Sequence, residues 1–367
     1  NRFNLSVNHL MMLLDPIMML TMNLTSVAVV WFGAKLIDIN GLEIGNMMAF
    51  LQYAMQIIIS FLMISMVFIM VPRATVSLQR VNEILNMKPS IINPKEPKHF
   101  PSNGKGKIEF RDVTFSYPDA NLPVLSGINF TAEPGQTTAF IGSTGSGKST
   151  LINLIPRFYD VSAGQILIDD IDIREVSSNE LMSRIGYIPQ KGVLFSGTIT
   201  SNIAYGNPKA SSKQIEEAAK IAQAAEFINE LDKKYSSNVS QGGKNVSGGQ
   251  RQRLSIARAL ATDAKIYIFD DSFSALDFKT DARLRQALTK KTKNKTVLIV
   301  AQRINTIMNA DKIIVLNEGK IVGQGTHAEL MRSCSIYREI ASSQLSDEEL
   351  SDLEKAPSKN RKGRNNE

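Results

Sequence analysis

The chain has 367 residues, of which 43% are hydrophobic, and a formal net charge of +7 at pH 7. Its single cysteine, Cys334, excludes an internal disulfide and fits a reducing cytosol. The lysine and arginine excess is spread through a mixed-sign sequence without interleaved aromatics, so the charge suits an anionic membrane face better than a nucleic acid.

Two apolar runs open the chain. Residues 10–37 are mostly apolar, and residues 47–71 carry no charge at all. As a helix the second run spans roughly 37 Å, which is enough to cross a hydrocarbon core of about 30 Å. A soluble core helix of this length without a polar face is unusual. The sequence therefore predicts two membrane helices.

Charges flanking the runs predict their orientation. A short acidic turn with Asp38 and Glu43 separates them, while basic residues stand at the outer ends: Arg2, Arg73, Arg80 and Lys88. Because positive charge concentrates on the cytoplasmic side, both ends are predicted to be cytoplasmic.

Polar residues interrupt the apolar runs at two places. Asp15 followed by Pro16 favours a helix N-cap and first turn over an ionisable group on a substrate path. Gln52, Gln56 and Ser60 recur every four residues and share one helix face. That face suits either a partner helix or a water-filled path.

Beyond the membrane part the chain becomes a polar α/β sequence. Residues 74–85 are amphipathic, which predicts that the second helix continues out of the bilayer. Four prolines in residues 86–106 indicate an extended linker. Strand patterns follow at residues 108–117, 128–131, 166–169, 265–269, 296–300 and 312–316, with helical sequence between residues 201 and 225.

The predicted organisation has four parts. These are a membrane part at residues 1–85, a linker at 86–106, a nucleotide-binding domain at 107–345 and a tail at 346–367. The tail lacks apolar spacing and is predicted to be disordered.

A phosphate loop lies inside the α/β part. GSTGSGKST follows an apolar strand-like run and precedes a helix-like run, which is the context that the GxxxxGK[ST] pattern requires. Glycines allow backbone N–H groups to converge on phosphates, lysine reaches the β- and γ-phosphates, and the serine hydroxyl of Ser149 can ligate Mg²⁺. The residues predicted to contact ATP are Gly142, Ser143, Thr144, Gly145, Ser146, Gly147, Lys148, Ser149 and Thr150.

Two further segments complete the predicted site. IYIFD ends in Asp270, an apolar strand followed by a carboxylate that can hold Mg²⁺. VSGGQ begins a helix-like segment and forms a second anion-binding element, with Ser247, Gly248, Gly249 and Gln250. One nucleotide does not need two such elements from one chain. A dimer with two ATP molecules sandwiched between the subunits is therefore predicted.

These motifs, in this order, resemble an ATP-binding cassette exporter half-transporter from its final two membrane helices through its nucleotide-binding domain. The resemblance implies a helical membrane hairpin followed by an α/β P-loop domain with a RecA-like core, an antiparallel β subdomain and a helical subdomain. It also implies that Tyr117 stacks on adenine, that Gln190 touches Mg²⁺ and couples to the membrane helices, and that SALD, ending at Asp277, communicates across the dimer.

Three positions depart from the family pattern. Asp271 stands where the family has a glutamate that acts as general base or positions water, Gln302 replaces a histidine that contacts the γ-phosphate, and Gln241 replaces a glutamate. Shortening a side chain by one methylene moves its carboxylate by roughly 1.5 Å, and such a displacement can cost on the order of 100-fold in rate. Glutamine can form hydrogen bonds but cannot carry charge.

With Asp271, Gln302 and Gln190 in the catalytic positions, the sequence predicts that ATP binds and is hydrolysed slowly. The chain then resembles the degenerate subunit of a heterodimeric multidrug-type exporter, with ATP and Mg²⁺ as cofactors and a small molecule, lipid or peptide as cargo. A heterodimer is favoured over a homodimer, in the cell membrane with the nucleotide-binding domain in the cytoplasm and without a nucleic-acid partner.

Other interpretations stay open. One is a non-hydrolysing regulatory subunit, and a less favoured one is a soluble cassette ATPase that acts on nucleic acid. Half-transporters of the family carry six membrane helices and this chain offers two, so a truncated product or a fragment is expected.

Overall fold

The computed structural model of the chain describes residues 2–39, 41–118 and 120–345. It divides into two compact units, Asn1–Pro89 and Ser90–Glu367. The tail that is predicted to be disordered lies outside the described residues, so that interpretation stays a prediction.

The first unit is a pair of long helices, α1 (Arg2–Asp38) and α2 (Ile44–Leu85). Both are long and apolar enough to cross a membrane, and their apolar stretches are almost entirely exposed on the chain. A soluble core helix would instead be buried. The structure confirms two long apolar helices, with the second continuing to residue 85. That both cross a membrane stays a prediction.

The interpretation of Asp15 and Pro16 as a helix start is wrong, because α1 begins at Arg2 and passes through Pro16. Helix α2 passes through Pro72 in the same way. A proline removes one backbone donor, and a long apolar helix tolerates this loss when its other hydrogen bonds are kept.

Several hydroxyl groups in these helices donate to a backbone carbonyl one turn earlier. The Ser60 hydroxyl donates to the Gln56 carbonyl at 2.8 Å, and Thr25 donates to the Thr21 carbonyl at 2.8 Å. Such bonds allow polar side chains to lie in an apolar helix without a partner helix. Gln52 and Gln56 are exposed on this chain, so both interpretations of their face stay open.

The second unit consists of two main sheets and surrounding helices. Its strands are β1 (Ile108–Phe115), β2 (Leu125–Ala132), β3 (Thr137–Gly142), β4 (Ala163–Ile168), β5 (Ile171–Asp172), β6 (Ile185–Ile188), β7 (Gly197–Thr198), β8 (Asn238–Val239), β9 (Ile266–Asp270), β10 (Thr296–Val300), β11 (Lys312–Asn317) and β12 (Lys320–Gly325).

Helices connect and cover these strands. They are α3 (Lys148–Leu154), α4 (Ser178–Ser183), α5 (Ile199–Ile203), α6 (Ser212–Ile221), α7 (Ala225–Glu230), α8 (Gly248–Leu260), α9 (Phe278–Lys291), α10 (Ile304–Ile307), α11 (His327–Ser333) and α12 (Ser335–Ser342), with 3₁₀ turns at Ile173–Glu175, Ala204–Gly206, Lys234–Ser236 and Gln241–Gly243.

The larger sheet has six strands in the order β12-β11-β3-β10-β9-β6. Its strands are parallel except β12, which pairs antiparallel with β11. Because parallel strands are covered on both faces, they are continuously apolar, as in β9, where all five residues are buried. The carboxyl ends of β3, β9 and β10 therefore meet at one edge of the sheet.

The smaller sheet is antiparallel, in the order β2-β1-β4-β5. Strand β1 alternates between the core and solvent, with Ile108, Phe110 and Val113 buried. The segment before it belongs to this unit, because Lys98 forms a bridge with Val176 and Phe100 is buried.

Three hydrophobic cores fill the second unit. The first lies between the two sheets and includes α3, and Phe140 of β3 points into it. The second lies under α5, α6 and α8 and covers Tyr267 and Phe269 of β9. The third lies under α10, α11 and α12 and covers Ala139 and Ile141 of β3. The second and third cores therefore share one face of the six-stranded sheet.

Candidate functional site

The phosphate loop joins β3 to α3, and Gly142 and Gly147 define its two ends. A Cβ on Gly142 would collide with the Leu316 carbonyl oxygen on the neighbouring strand. Gly147 has φ 96°, and a Cβ there would lie 2.7 Å from Leu125 Cδ2. Only glycine fits both positions, so the backbone can curve closely around a ligand.

The Lys148 ammonium group lies inside the curve of this loop. Its Nζ donates to the carbonyl oxygens of Gly142 at 2.9 Å and Ser143 at 2.7 Å, and to Ser146 Oγ at 3.3 Å. Burial lowers the pKa of Lys148, and the nearby carboxylate of Asp271 opposes that shift. These three oxygens occupy acceptor positions around the ammonium group that phosphate oxygens can take.

A hydroxyl and a carboxylate meet next to the loop. Ser149 Oγ donates to Asp270 Oδ1 at 3.0 Å, which joins the first turn of α3 to the end of β9. Burial raises the pKa of Asp270, and the Ser149 hydrogen bond opposes the rise. Hydroxyl and carboxylate oxygens are the hard donors that Mg²⁺ prefers, so this pair fits the predicted metal.

Asp271 is held by two amide side chains. Its Oδ2 accepts from Gln302 Nε2 at 3.0 Å and from Gln190 Nε2 at 3.3 Å. Asp271 as a whole is only 9% exposed, and burial raises its pKa. We call Asp271, Gln190 and Gln302 the amide clamp. All three predicted catalytic residues therefore lie together, and the Gln190 amide faces Asp271.

Backbone geometry explains why the clamp can form. Asp271 has φ 45°, in the left-handed region that aspartate tolerates better than most residues. Its N–H donates to the Val300 carbonyl at 3.0 Å, which holds the ends of β9 and β10 together. Gln190 follows β6 and Gln302 follows β10, so the sheet edge brings both amides to one carboxylate.

Tyr117 lies beside the phosphate loop. Its hydroxyl forms a hydrogen bond with Thr150 Oγ1 at 3.1 Å, and its ring packs edge-on against Tyr159 with centroids 5.2 Å apart. The ring is partly buried. Its stacking on adenine stays a prediction.

The VSGGQ segment begins α8 in the second core. Ser247 Oγ accepts from the Gln250 N–H at 3.2 Å, and Gln250 Oε1 accepts from the Ser247 N–H at 2.9 Å. This reciprocal capping box fixes the helix start and leaves Ser247 and Gly248 exposed. Among the described residues, no side-chain hydrogen bond joins this segment to the phosphate loop of the same chain.

The SALD segment lies beside the start of α8. A Cβ on Gly249 would lie 3.5 Å from the Ala275 carbonyl oxygen. Ser274 Oγ donates to the Asp271 carbonyl at 2.8 Å, and Asp277 caps α9 by accepting from the Thr280 N–H at 2.9 Å. This hydrogen bond lowers the pKa of Asp277.

One residue of the site is not suggested by any sequence motif. Gln344, just after α12, donates through Nε2 to the Gln302 carbonyl at 2.8 Å, and its Oε1 accepts from the Ile304 N–H at 2.9 Å. The Gln344 amide therefore holds the backbone on both sides of Arg303. A lone glutamine 42 residues from its partner carries no local pattern that could have identified it.

The sequence of this chain is similar to those of known transport proteins. Residues 125–274 match the family model described as ABC transporter. The chain is 45% identical over 344 residues to an uncharacterized ABC transporter ATP-binding protein of Mycobacterium tuberculosis, covering 93% of this chain and 59% of that protein. It is 43% identical over 272 residues to an ATP-dependent lipid A-core flippase of Syntrophus aciditrophicus, covering 74% of this chain and 45% of the flippase.

A solved structure extends the similarity to three dimensions. The structure of a bacterial Atm1-family ABC exporter with ATP bound superposes with a TM-score of 0.82 at 31% identity. The match covers 92% of this chain and 59% of the exporter chain. The predicted fold class is therefore confirmed. This chain spans 59% of the length of the Mycobacterium tuberculosis protein and of the exporter chain, and 45% of the length of the flippase.

Proposed function

We propose that this chain, in which residues 125–274 match the ABC transporter family model, is the ATP-binding, slowly hydrolysing subunit of a membrane exporter. Its two apolar helices belong to the transmembrane part, and the nucleotide-binding domain lies in the cytoplasm. Binding and release of ATP between two such domains drive export of a substrate. The proposal that hydrolysis is slow rests on the amide clamp at Asp271.

Nucleotide binding is supported by an intact phosphate loop. Gly142 and Gly147 leave room for phosphates, and Lys148 already lies among oxygen acceptors that phosphate oxygens can replace. Ser149 and Asp270 would hold Mg²⁺, which neutralises phosphate charge when bound. Tyr117 stands beside the loop, in reach of a base.

Slow hydrolysis follows from what Asp271 and Gln302 can do. A general base must accept a proton from the attacking water, but two amide N–H groups already occupy Asp271 Oδ2. The Gln302 amide is directed at Asp271 and is uncharged, so it supplies less electrostatic stabilisation to a developing phosphate charge than an imidazolium does. Asp271 is also one methylene shorter than the glutamate of the family pattern.

The exposed VSGGQ segment supports a two-chain site. Ser247 and Gly248 present the start of a 13-residue helix to solvent, away from the phosphate loop of their own chain. In the proposed assembly they close over ATP that is held by a second half-transporter. We favour a partner whose catalytic carboxylate is not held by two amide side chains. The assembly is then a heterodimer with one slow site and one fast site.

The proposed substrate is hydrophobic or amphipathic. Similarity to a lipid A-core flippase favours this class. The apolar, methionine-rich surface of α1 and α2 suits it as well, because flexible methionines adapt to varied apolar ligands.

The proposal is tested with the full chain in detergent micelles or nanodiscs. We expect a fluorescent ATP analogue to bind, and phosphate release by the isolated chain to be roughly 100-fold slower than by the assembled pair. Lys148→Ala should abolish binding and serves as the control. Rapid hydrolysis by the isolated chain would contradict the slow site, and failure to bind nucleotide would contradict the function altogether.

A second candidate is a regulatory subunit that binds ATP without hydrolysing it. The same amide clamp favours it, since two amide donors already lie on Asp271 Oδ2. Single-turnover measurement with radiolabelled ATP separates the two, because a slow site forms ADP over hours whereas a regulatory site returns ATP unchanged.

A further inference from the structure

A cleft lies over β10, on the face of the six-stranded sheet that the second and third cores share. Inner parallel strands are normally covered on both faces, yet Ile299 of β10 is only half-buried. It contacts both cores without being enclosed by either. The gap is a cleft of about 820 Å³ between α9 and α10.

The cleft has an apolar floor and a basic rim. Phe269, Phe273 and Ile299 are on its floor, while its rim carries four cationic side chains: Arg285, Lys290, Lys293 and Lys295. Asp311 is its acidic lining residue, and its carboxylate already accepts from the Thr137 N–H at 2.9 Å. The cleft therefore favours a ligand that is acidic and partly apolar.

The positive charge of the rim is only partly neutralised. Within the described residues, Lys290 and Lys293 form no ion pair, whereas Lys295 lies 3.4 Å from Asp263. Arg285 pairs with Asp281 at 2.6 Å, and its Nε is buried without a hydrogen-bond partner among the described residues. The exposed ammonium groups of Lys290 and Lys293 therefore leave positive charge on the rim for an anionic group.

The chain itself contains a segment of matching chemistry. Residues 346–354 read SDEELSDLE, with five acidic residues, no basic residue and two leucines, Leu350 and Leu353. The leucines match an apolar floor, and the carboxylates match a basic rim.

This segment begins next to the cleft wall. Leu345 is buried in the third core, and Gln344 is hydrogen-bonded to Ile304 at the start of α10. The next residue, Asn305, lines the cleft and accepts from Arg285 Nη1 at 3.0 Å. Nine residues extend up to ~30 Å, so the segment has ample length to enter the cleft.

We propose that the acidic segment 346–354 binds in the basic cleft between α9 and α10 of its own chain. Binding fixes the chain directly after Leu345, whose neighbour Gln344 holds the backbone of Gln302. Occupancy of the cleft therefore stabilises the loop that carries Gln302. The proposal is independent of the transported substrate and of the identity of the partner half-transporter.

The test is a cross-link in the full chain, with Cys334→Ala removing the native thiol. Leu350→Cys and Gln286→Cys, which lies on the cleft wall, are joined with a short bis-maleimide. We expect an efficient intramolecular cross-link. Lys290→Glu with Lys293→Glu should lower its yield at least fivefold, and 0.5 M salt should lower it as well because exposed charges are screened.

A matched charge reversal provides the control. Lys209→Glu with Lys213→Glu lies on exposed surface outside the cleft and should leave the yield within twofold of the parent. Leu350→Cys paired with Lys213→Cys should give little cross-link. Retained nucleotide binding shows that each variant is folded.

Three results would overturn the proposal. These are a cross-link yield that the cleft reversal leaves unchanged, equal losses from the cleft and control reversals, and a product linking two chains, which would assign the cleft to a second copy. An excess of free peptide SDEELSDLE should compete with the native segment, and absence of competition would count against the cleft as its binding site.

Discussion

At the scale of single residues, Asp271 determines the chemistry of the proposed site. Its backbone adopts φ 45°, and its carboxylate accepts hydrogen bonds from Gln190 and Gln302. Aspartate tolerates this conformation better than glutamate does. Aspartate at this position therefore stabilises the loop, but its carboxylate is less available to accept a proton from water.

We expect Asp271→Glu combined with Gln302→His to raise ATP hydrolysis at this site by about 100-fold, because the carboxylate regains its reach and an imidazole replaces one clamping amide. Phosphate release by the full chain with its partner site inactivated measures the change. Asp271→Asn combined with Gln302→His serves as the control and should stay slow. An unchanged rate in the Asp271→Glu variant would contradict the roles assigned to both residues.

Residues of the phosphate loop could be predicted because they are contiguous in sequence. The spaced glycines, Lys148 and the preceding strand lie within one short stretch of sequence. In the structure this stretch runs from β3 through the loop to the start of α3. The clamp could be predicted only in part. Asp271, Gln190 and Gln302 were identified from position in a family pattern, whereas the hydrogen bonds between them depend on the sheet edge that assembles β6, β9 and β10.

At the scale of elements, Gln344, which lies just after α12, holds the loop after β10. Its amide joins the Gln302 carbonyl to the Ile304 N–H, so the end of one helix sets the start of another. This link could not be predicted, because it requires the packing of α12 on β3 in the third core. Sequence patterns did not predict β5, β6, β7, β8 or β12, and for β6 and β12 the reason is local. β6 has four residues, and β12 carries glycines that weaken its β pattern.

We expect Gln344→Ala to destabilise the second unit by about 1 kcal/mol, since two hydrogen bonds at an exposed position are lost. In the background with Asp271→Glu and Gln302→His, hydrolysis should fall about fivefold, because the catalytic side chain is held less firmly. Thermal unfolding and phosphate release measure the two effects.

Gln344→Glu is the informative comparison for this element. It keeps the acceptor for the Ile304 N–H and loses the donor to the Gln302 carbonyl, so its effect should be intermediate. Equal hydrolysis in all three proteins would show that the loop does not depend on α12.

At the scale of the whole molecule, the two units differ in where their apolar residues lie. The second unit encloses three hydrophobic cores, while most of the described apolar side chains of α1 and α2 are exposed. The composition of the two parts allowed this division to be predicted. A continuous apolar run is typical of a membrane helix, and an alternating run is typical of a strand. The two differ in periodicity, which can be read from a short stretch of sequence.

We expect residues 90–367, expressed without the first unit, to remain in aqueous buffer and bind ATP within about threefold of the full chain. The full chain should require detergent. Ultracentrifugation and nucleotide titration measure both properties, and Lys148→Ala in the shorter chain provides the control. Aggregation of the shorter chain in buffer would contradict the independence of the second unit.

Helix α2 has 42 residues in one continuous run. At 1.5 Å per residue it is ~63 Å long, about twice the thickness of a hydrocarbon core. Roughly half of such a rod must project into water if the other half is embedded in lipid. A small tilt at the buried end is then magnified into a displacement of several ångströms at the far tip, so this helix can act as a mechanical lever arm.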